Sequence, residues 1–183
     1  MARQNRICFP GATYHITARG NNKNTIFHDE RDYFKYLEYV KETNSRYPFL
    51  LHSYCLMPNH LHLQIETPQE SISKIMKLIQ MRYAMYFNKR YSLVGHVFQE
   101  RFGSKIILNA SYFMTVNRYI HLNPVKANIV KKPEDYKWSS YTTYITPNKN
   151  PLVTTSKTLS YFTNSNIQLY KDYIEETKEE IEL

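Results

Sequence analysis

The chain has 183 residues, 24 Lys and Arg against 16 Asp and Glu, a formal charge of +8, and two cysteines, Cys8 and Cys55. That length suits one domain with an appendage and can bury a core. Two cysteines exclude a disulfide framework or a cysteine zinc site; no apolar run has membrane-spanning length, and the basic start leads into Pro10-Gly11, not into a signal-type apolar segment. The expectation is a soluble cytoplasmic protein without a membrane partner. Residues 164–183 carry a net charge of −4, which leaves +12 on the rest. A body that basic suits a polyanion. Seventeen tyrosines and nine phenylalanines lie among its cations, a composition that favours unstacked bases of a single strand over a duplex groove, although most of these rings belong in a core.

Residues 12–19 alternate, with Ala12, Tyr14, Ile16 and Ala18 on one face and Thr13, His15, Thr17 and Arg19 on the other. This is a strand, closed by Gly20-Asn21-Asn22. Asp29 is placed to cap a helix running to about Asn44, with Tyr33, Phe34, Leu37 and Val40 as its apolar stripe. A second strand over 49–57 meets the turn Pro58-Asn59 and then a third alternating run, His60 to Glu66. Ser71 opens a long helix with Ile72, Ile75, Met76, Ile79, Tyr83, Tyr86 and Phe87 at helical spacing; its other face, with Lys74, Lys77, Arg82, Lys89 and Arg90, reads as solvated. A fourth strand spans 103–108. A third helix starts near Ser111 and is expected to stop by Asn123, because Pro124 disfavours helical geometry in the residue before it. The order strand–helix–strand–strand–helix–strand is that of an α+β, ferredoxin-like sandwich with an antiparallel sheet, to which the third helix is an addition. Tyr136, Trp138 and Tyr141 read as a docking segment, 147–151 as a loop and 167–183 as an acidic terminal helix. The domain is therefore drawn at 1–145, with 146–183 as a C-terminal extension.

The chemistry concentrates in two segments. On the third strand His60, His62, Gln64 and Glu66 share a face, and two adjacent imidazoles are a ready pair of metal ligands, or simply two histidines on a solvated face. On the third helix, at about 100° per residue, Tyr119 lies at the edge of the apolar face set by Tyr112, Phe113, Val116 and Ile120. Asn123 falls within that face, one turn beyond Tyr119. Two imidazole nitrogens and one amide oxygen would suit Mg²⁺ or Mn²⁺ completed by phosphate oxygen and water. Packing explains a helical tyrosine equally well, and Asn is ordinary at a helix end.

Asn59-His60-Leu61-His62 resembles the histidine–hydrophobic–histidine (HUH) motif of single-strand transposases with one catalytic tyrosine. Arg118-Tyr119-Ile120-His121-Leu122-Asn123-Pro124-Val125-Lys126-Ala127 is similar to their nucleophile helix, in the form carried by REP-associated tyrosine transposases. Phe9-Pro10-Gly11-Ala12-Thr13-Tyr14-His15-Ile16-Thr17-Ala18-Arg19-Gly20-Asn21, Gly95-His96-Val97-Phe98-Gln99-Glu100-Arg101-Phe102 and Tyr136-Lys137-Trp138-Ser139-Ser140-Tyr141 agree in the same order, so the resemblance spans roughly residues 3 to 145. It implies the ferredoxin-like fold, His60 and His62 as ligands of a divalent metal with Asn123 as third ligand, and Tyr119 attacking a DNA phosphate. It implies hairpin-bearing single-stranded DNA as the partner, cut without ATP. Candidate DNA contacts are Arg19, Asn21, Arg82, Arg101, Lys105 and Arg118, and a monomer and a homodimer both stay open.

A free tyrosine has a pKa of about 10, so roughly a thousandth is phenolate at neutral pH; Arg118 and neighbouring lysines are the candidates for a cationic field favouring it. Two rivals stand beside this reading. A non-catalytic nucleic-acid-binding domain would display aromatics on its central strands. A metal-dependent hydrolase would use water where the transposase uses tyrosine.

Overall fold

In the computed structural model, which describes residues 8–176, four strands form one antiparallel sheet. They are β1 (Ala12–Arg19), β2 (Leu50–Met57), β3 (His60–Thr67) and β4 (Gly103–Ile107), in the spatial order β2-β3-β1-β4. With helices α1 (Glu30–Arg46) and α2 (Ile72–Tyr91) between them, the sequence order and strand order together are those of the ferredoxin-like fold. The alternation in the strands sorts the two sheet faces. Tyr14, Ile16 and Ala18 of β1, Tyr54 and Leu56 of β2, and Leu61, Leu63 and Ile65 of β3 meet Tyr33, Tyr36 and Val40 of α1 and Ile72, Ile75, Met76, Ile79, Tyr83 and Phe87 of α2.

Both caps expected from the sequence form. Asp29 accepts a hydrogen bond from the Arg31 amide, and Ser71 from the Lys74 amide. The α1 stripe differs from the expected one: Tyr36 is fully buried whereas Phe34 is 56% exposed, resting edge-on against Trp138. Arg90 also departs from the solvated face assigned to it. It reaches across to α1 and binds Asp29 and the fully buried Asp32, whose carboxylate also accepts the hydroxyls of Tyr86 and Tyr91. A buried carboxylate is tolerated only when partnered in this way.

Helix α3 (Ala110–Lys126) covers the opposite sheet face, where Phe113, Met114, Val116 and Ile120 pack on Cys55, Met57 and Ile107. Asn109 caps it, accepting from the Tyr112 amide. It does not stop at Asn123: Pro124 lies inside the helix. Proline removes one hydrogen bond from the last turn, and that turn is closed by other bonds, Ala127 N–H to Asn123 C=O and Ile129 N–H to Pro124 C=O. Asn123 therefore keeps a helical position one turn from Tyr119.

Residues 133–162 wrap the outer edge of β2. The Tyr136 hydroxyl donates to Leu56 C=O, the Leu56 amide to Trp138 C=O, the Ser140 amide to Tyr54 C=O and the Thr154 amide to Leu51 C=O, so this sheet edge is covered. Short helices α4 (Tyr141–Ile145) and α5 (Ser156–Leu159) follow, and α6 (Ile167–Glu175) packs on α3. Val153, Leu159, Tyr170 and Ile174 are buried in the same cluster as the sheet. The terminal helix expected over 167–183 ends at Glu175, and residues 177–183 lie outside the described part. Among the described residues no helix is long and apolar enough to cross a membrane.

A buried polar chain ties α3 to both neighbours. Ser53 donates to Gln64 Oε1, which also accepts from Asn117 Nδ2; the Tyr170 hydroxyl donates to Asn117 Oδ1 and meets His121 Nδ1 at 2.8 Å; His121 Nε2 meets the Ser140 hydroxyl at 2.8 Å. With the Tyr170 proton directed at Asn117, His121 must donate from Nδ1 and accept at Nε2. That neutral tautomer agrees with burial pushing its pKa down to about 3. Tyr170→Phe leaves a buried acceptor and a buried donor without partners. It should lower unfolding free energy by about 1–3 kcal/mol in urea titrations; an unchanged midpoint would show that the chain of bonds contributes nothing.

Candidate metal and nucleophile site

The turn Pro58-Asn59 sets the first ligand candidate. It joins β2 and β3 with Met57 paired to His60, and it is fastened by the loop after β1: the amides of Ile26 and Phe27 donate to Pro58 C=O and that of Gly20 to Asn59 C=O. Asn59 Nδ2 donates to Lys23 C=O, which turns its Oδ1 onto His60 Nδ1 at 2.7 Å. Since that oxygen only accepts, His60 carries its proton on Nδ1 and its Nε2 has the lone pair.

His62 lies deeper, 6% exposed, opposite Thr17 of β1. Its Nδ1 stands 3.0 Å from Nε2 of His15, with the two rings stacked at 5.2 Å. Asn123, at 9% exposure, donates its Nδ2 to Tyr119 C=O and places its side chain beside His60. Tyr119 is half-buried, its ring edge-on to His62 at 5.4 Å and to His15 at 5.8 Å, with Lys126 Nζ 5.5 Å from the ring centre. Burial, with the charge of Arg19, lowers the His60 pKa against the Asn123 side chain that raises it; burial, with the neighbouring histidines, takes His62 well below its usual value; burial and Lys105 take His15 to about 4. All three are neutral at neutral pH, the state a metal ligand needs.

These side chains open into a cleft of about 480 Å³ lined by Thr17, Arg19, His60, His62, Arg101 and Tyr119 among others. A smaller cavity of about 390 Å³ shares Thr17, His62, Gly103 and Tyr119 and reaches Ser104 and Lys105. Arg19, Arg101 and Lys105 are thus brought to the site. Asn21 follows in the turn beyond β1, its amide on Val97 C=O, and does not line the cleft. Two expected DNA contacts are corrected. Arg82 lies on α2, on the far face of the sheet, paired with Glu42 and stacked at 4.5 Å over Tyr39. Arg118, 4% exposed, points to α6, where Nε donates to Ile174 C=O and Nη2 to Glu176 C=O. It precedes Tyr119 by one residue, about 100° round the helix, which carries it away from the cleft. Lys126 is the cation that reaches the Tyr119 ring.

The rest of the polar face is not solvated. Gln64 is fully buried, and Glu66 accepts from Lys157 at 2.5 Å and lies 3.0 Å from His52, at the end of the sheet away from the cleft. His121, from the same helical motif as Tyr119, belongs to the buried chain of bonds and not to the site. No Phe, Tyr or Trp stands on the α3-facing side of β1 or β3, and α3 covers that face. His15 was missed by the sequence reading. Its signal was present, since alternation put it on the polar face of β1, and this fold sets β1 beside β3.

The donor set fits a divalent ion. Among the described residues no three of His, Cys, Asp and Glu are arranged to hold one ion, so the candidate set is two imidazole Nε2 atoms and the Asn123 amide oxygen. Each has its other polar atom engaged by protein. A neutral set with one oxygen leaves a hard cation needing phosphate or water, as Mg²⁺ and Mn²⁺ sites usually do.

A family model described as "Transposase IS200 like" matches residues 8–123, and the chain belongs to that family. A REP-associated tyrosine transposase of Haemophilus influenzae is 26% identical over 113 residues, 55% of this chain and 64% of the relative, so the chain spans less than two thirds of that relative's length. A solved REP-associated tyrosine transposase bound to a REP hairpin superposes with a TM-score of 0.69 at 21% identity, over 84% of this chain and 91% of that one; the two share a fold.

Arg118→Ala should act on stability, because it removes two charge-assisted bonds that hold the end of α6. A loss of about 2 kcal/mol is expected in chemical denaturation, with faster amide exchange in α6. Wild-type stability and exchange would show that Arg118 does not hold that helix.

Proposed function

We propose that the chain is a metal-dependent transferase that cuts and rejoins single-stranded DNA beside a hairpin, with Tyr119 as nucleophile. The observation that supports this is the convergence of His60, His62 and Tyr119, from a strand and a separate helix, on one cleft rimmed by Arg19 and Arg101, with Asn123 one helical turn behind Tyr119 and beside His60. Family membership and the hairpin bound to the structural relative point the same way.

His60 and His62 through Nε2, and Asn123 through Oδ1, would hold the ion. Bound there, a divalent metal withdraws charge from the scissile phosphate and orients it for in-line attack. Arg19, Arg101 and Lys105 would grip flanking phosphates, and Lys126 stands beside the Tyr119 ring. The Tyr119 oxygen, having lost its proton, attacks phosphorus; the bond to the 3′ oxygen breaks and that oxygen takes up a proton. The products are a 5′-phosphotyrosine and a free 3′-hydroxyl. The new ester keeps the phosphodiester's energy, so a 3′-hydroxyl can reverse the step and join strands without ATP. One tyrosine carries one covalent end, so complete transposition takes two sites, two turnovers or help from another protein.

The test is incubation with a hairpin-bearing single strand from the DNA flanking the gene, with Mg²⁺ or Mn²⁺, followed by a denaturing gel. Wild type should give a covalent adduct and cut DNA. Tyr119→Phe should lose both while keeping fold and affinity, since one half-exposed hydroxyl adds little stability. Cutting by the Phe variant would instead indicate a hydrolase.

His60→Ala and His62→Ala should each abolish cleavage and leave single-strand binding largely intact, because backbone contacts carry that affinity. Full cleavage by both variants would remove the metal site from the account.

Binding itself should weaken with salt. For about five phosphate contacts, log K should fall against log salt with a slope of about −3.5, and Arg19→Ala should make it shallower by about 0.7. A flat dependence would contradict nucleic-acid binding.

A further inference from the structure

Each of the three proposed metal donors has a second polar atom, and the protein occupies all three. For His60 and Asn123 the partner at the second atom is an amide or carbonyl oxygen. Asn59 is oriented by its bond to Lys23 C=O and can only accept from His60 Nδ1; Asn123 Nδ2 can only donate to Tyr119 C=O. His62 is different, because its partner is another imidazole. At 3.0 Å one ring must donate and the other accept. If His62 Nδ1 donates, its Nε2 presents a lone pair to the cleft. If His15 Nε2 donates, His62 carries its proton on Nε2 and is closed to a metal.

We propose that His15 is the positioning residue of the site: its Nε2 accepts the His62 Nδ1 proton and so holds His62 in the tautomer and orientation that face Nε2 to a divalent ion. This rests on the metal reading of His60 and His62 given above. Location supports it. His15 sits on β1, diagonal to His62 across the β1–β3 ladder, is 4% exposed, and stacks on the His62 ring while lying edge-on to Tyr119. Both rings are held by sheet backbone, so the pair is set before any ligand arrives. Histidine ligands regularly depend on such an outer acceptor, and its loss costs about 10–100-fold in metal affinity. The acceptor here is neutral, so it fixes the tautomer without adding negative charge beside the phosphate.

The experiment compares wild type, His15→Phe and His15→Gln. Phe keeps the ring volume and removes the acceptor; Gln restores an amide oxygen at the distance of Nε2. Mn²⁺ affinity is read by electron paramagnetic resonance without DNA, and the His62 tautomer by ¹⁵N NMR of the metal-free protein. Expected are Mn²⁺ binding by wild type, about tenfold or greater weakening in His15→Phe, recovery of most of it in His15→Gln, similar melting temperatures, and a His62 proton on Nδ1. Equal Mn²⁺ affinity in wild type and His15→Phe, equal losses in Phe and Gln variants, or a His62 proton on Nε2 would overturn the proposal. Failure of wild type itself to bind Mn²⁺, with His62 protonated on Nδ1, would instead overturn the metal reading on which it rests.

Discussion

Laying α3 across a sheet face that carries His15, His62 and Gln64 is the constraint from which the rest follows. Polar groups cannot go under a helix without partners, so each must find one. Gln64 finds Ser53 and Asn117, and through Asn117 the bonds continue to Tyr170, His121 and Ser140. At the far end Glu66 is closed off by His52 and Lys157. Towards the Pro58-Asn59 turn and the β4 edge the face opens. There His60, His62 and Tyr119 line the cleft, and Asn123 follows one turn along α3.

The C-terminal segment shares in this arrangement although it lies beyond the part matched by the family model. Arg118 holds the carbonyl end of α6, Tyr170 reaches the middle of α3, and residues 133–154 pair with the edge of β2. These contacts fix how α3 is rotated about its own axis. Tyr119 and Asn123 sit one turn apart on that axis, so a rotation would carry Tyr119 from the cleft and Asn123 from His60 together. The segment after residue 123 thus bears on the site without contributing a side chain that lines the main cleft.

Much of this could be read from residues alone, for reasons that differ by element. The strands were legible because period-2 alternation is unambiguous in Ala12 to Arg19 and in His60 to Glu66. The caps Asp29 and Ser71 were legible because a side-chain acceptor before an apolar stripe is a local signal. What failed depended on neighbours. Alternation cannot distinguish a solvated polar face from one under a helix, so the burial of Gln64 and His15 was invisible. Arg118 and Arg82 looked alike as free cations, but one is oriented by α6 and the other by Glu42 on α1. Pro124 was given too much weight, since near a helix end it costs a single bond. Phe34 and Tyr36 were both apolar enough for the stripe, and only the docking of Trp138 beside Tyr33 and Phe34 decides between them.

The central claim is that Tyr119, among seventeen tyrosines, takes the DNA. Cleavage after Arg118 and Lys126 by trypsin gives a peptide of residues 119–126 in which Tyr119 is the sole tyrosine. Mass spectrometry of a digested protein–DNA adduct, trapped with a hairpin-bearing single strand and Mg²⁺, therefore assigns the attachment residue directly. The account predicts a nucleotide mass on the 119–126 peptide. A nucleotide on the 106–118 peptide, which holds Tyr112, or on a peptide holding Tyr136 or Tyr141 would contradict it.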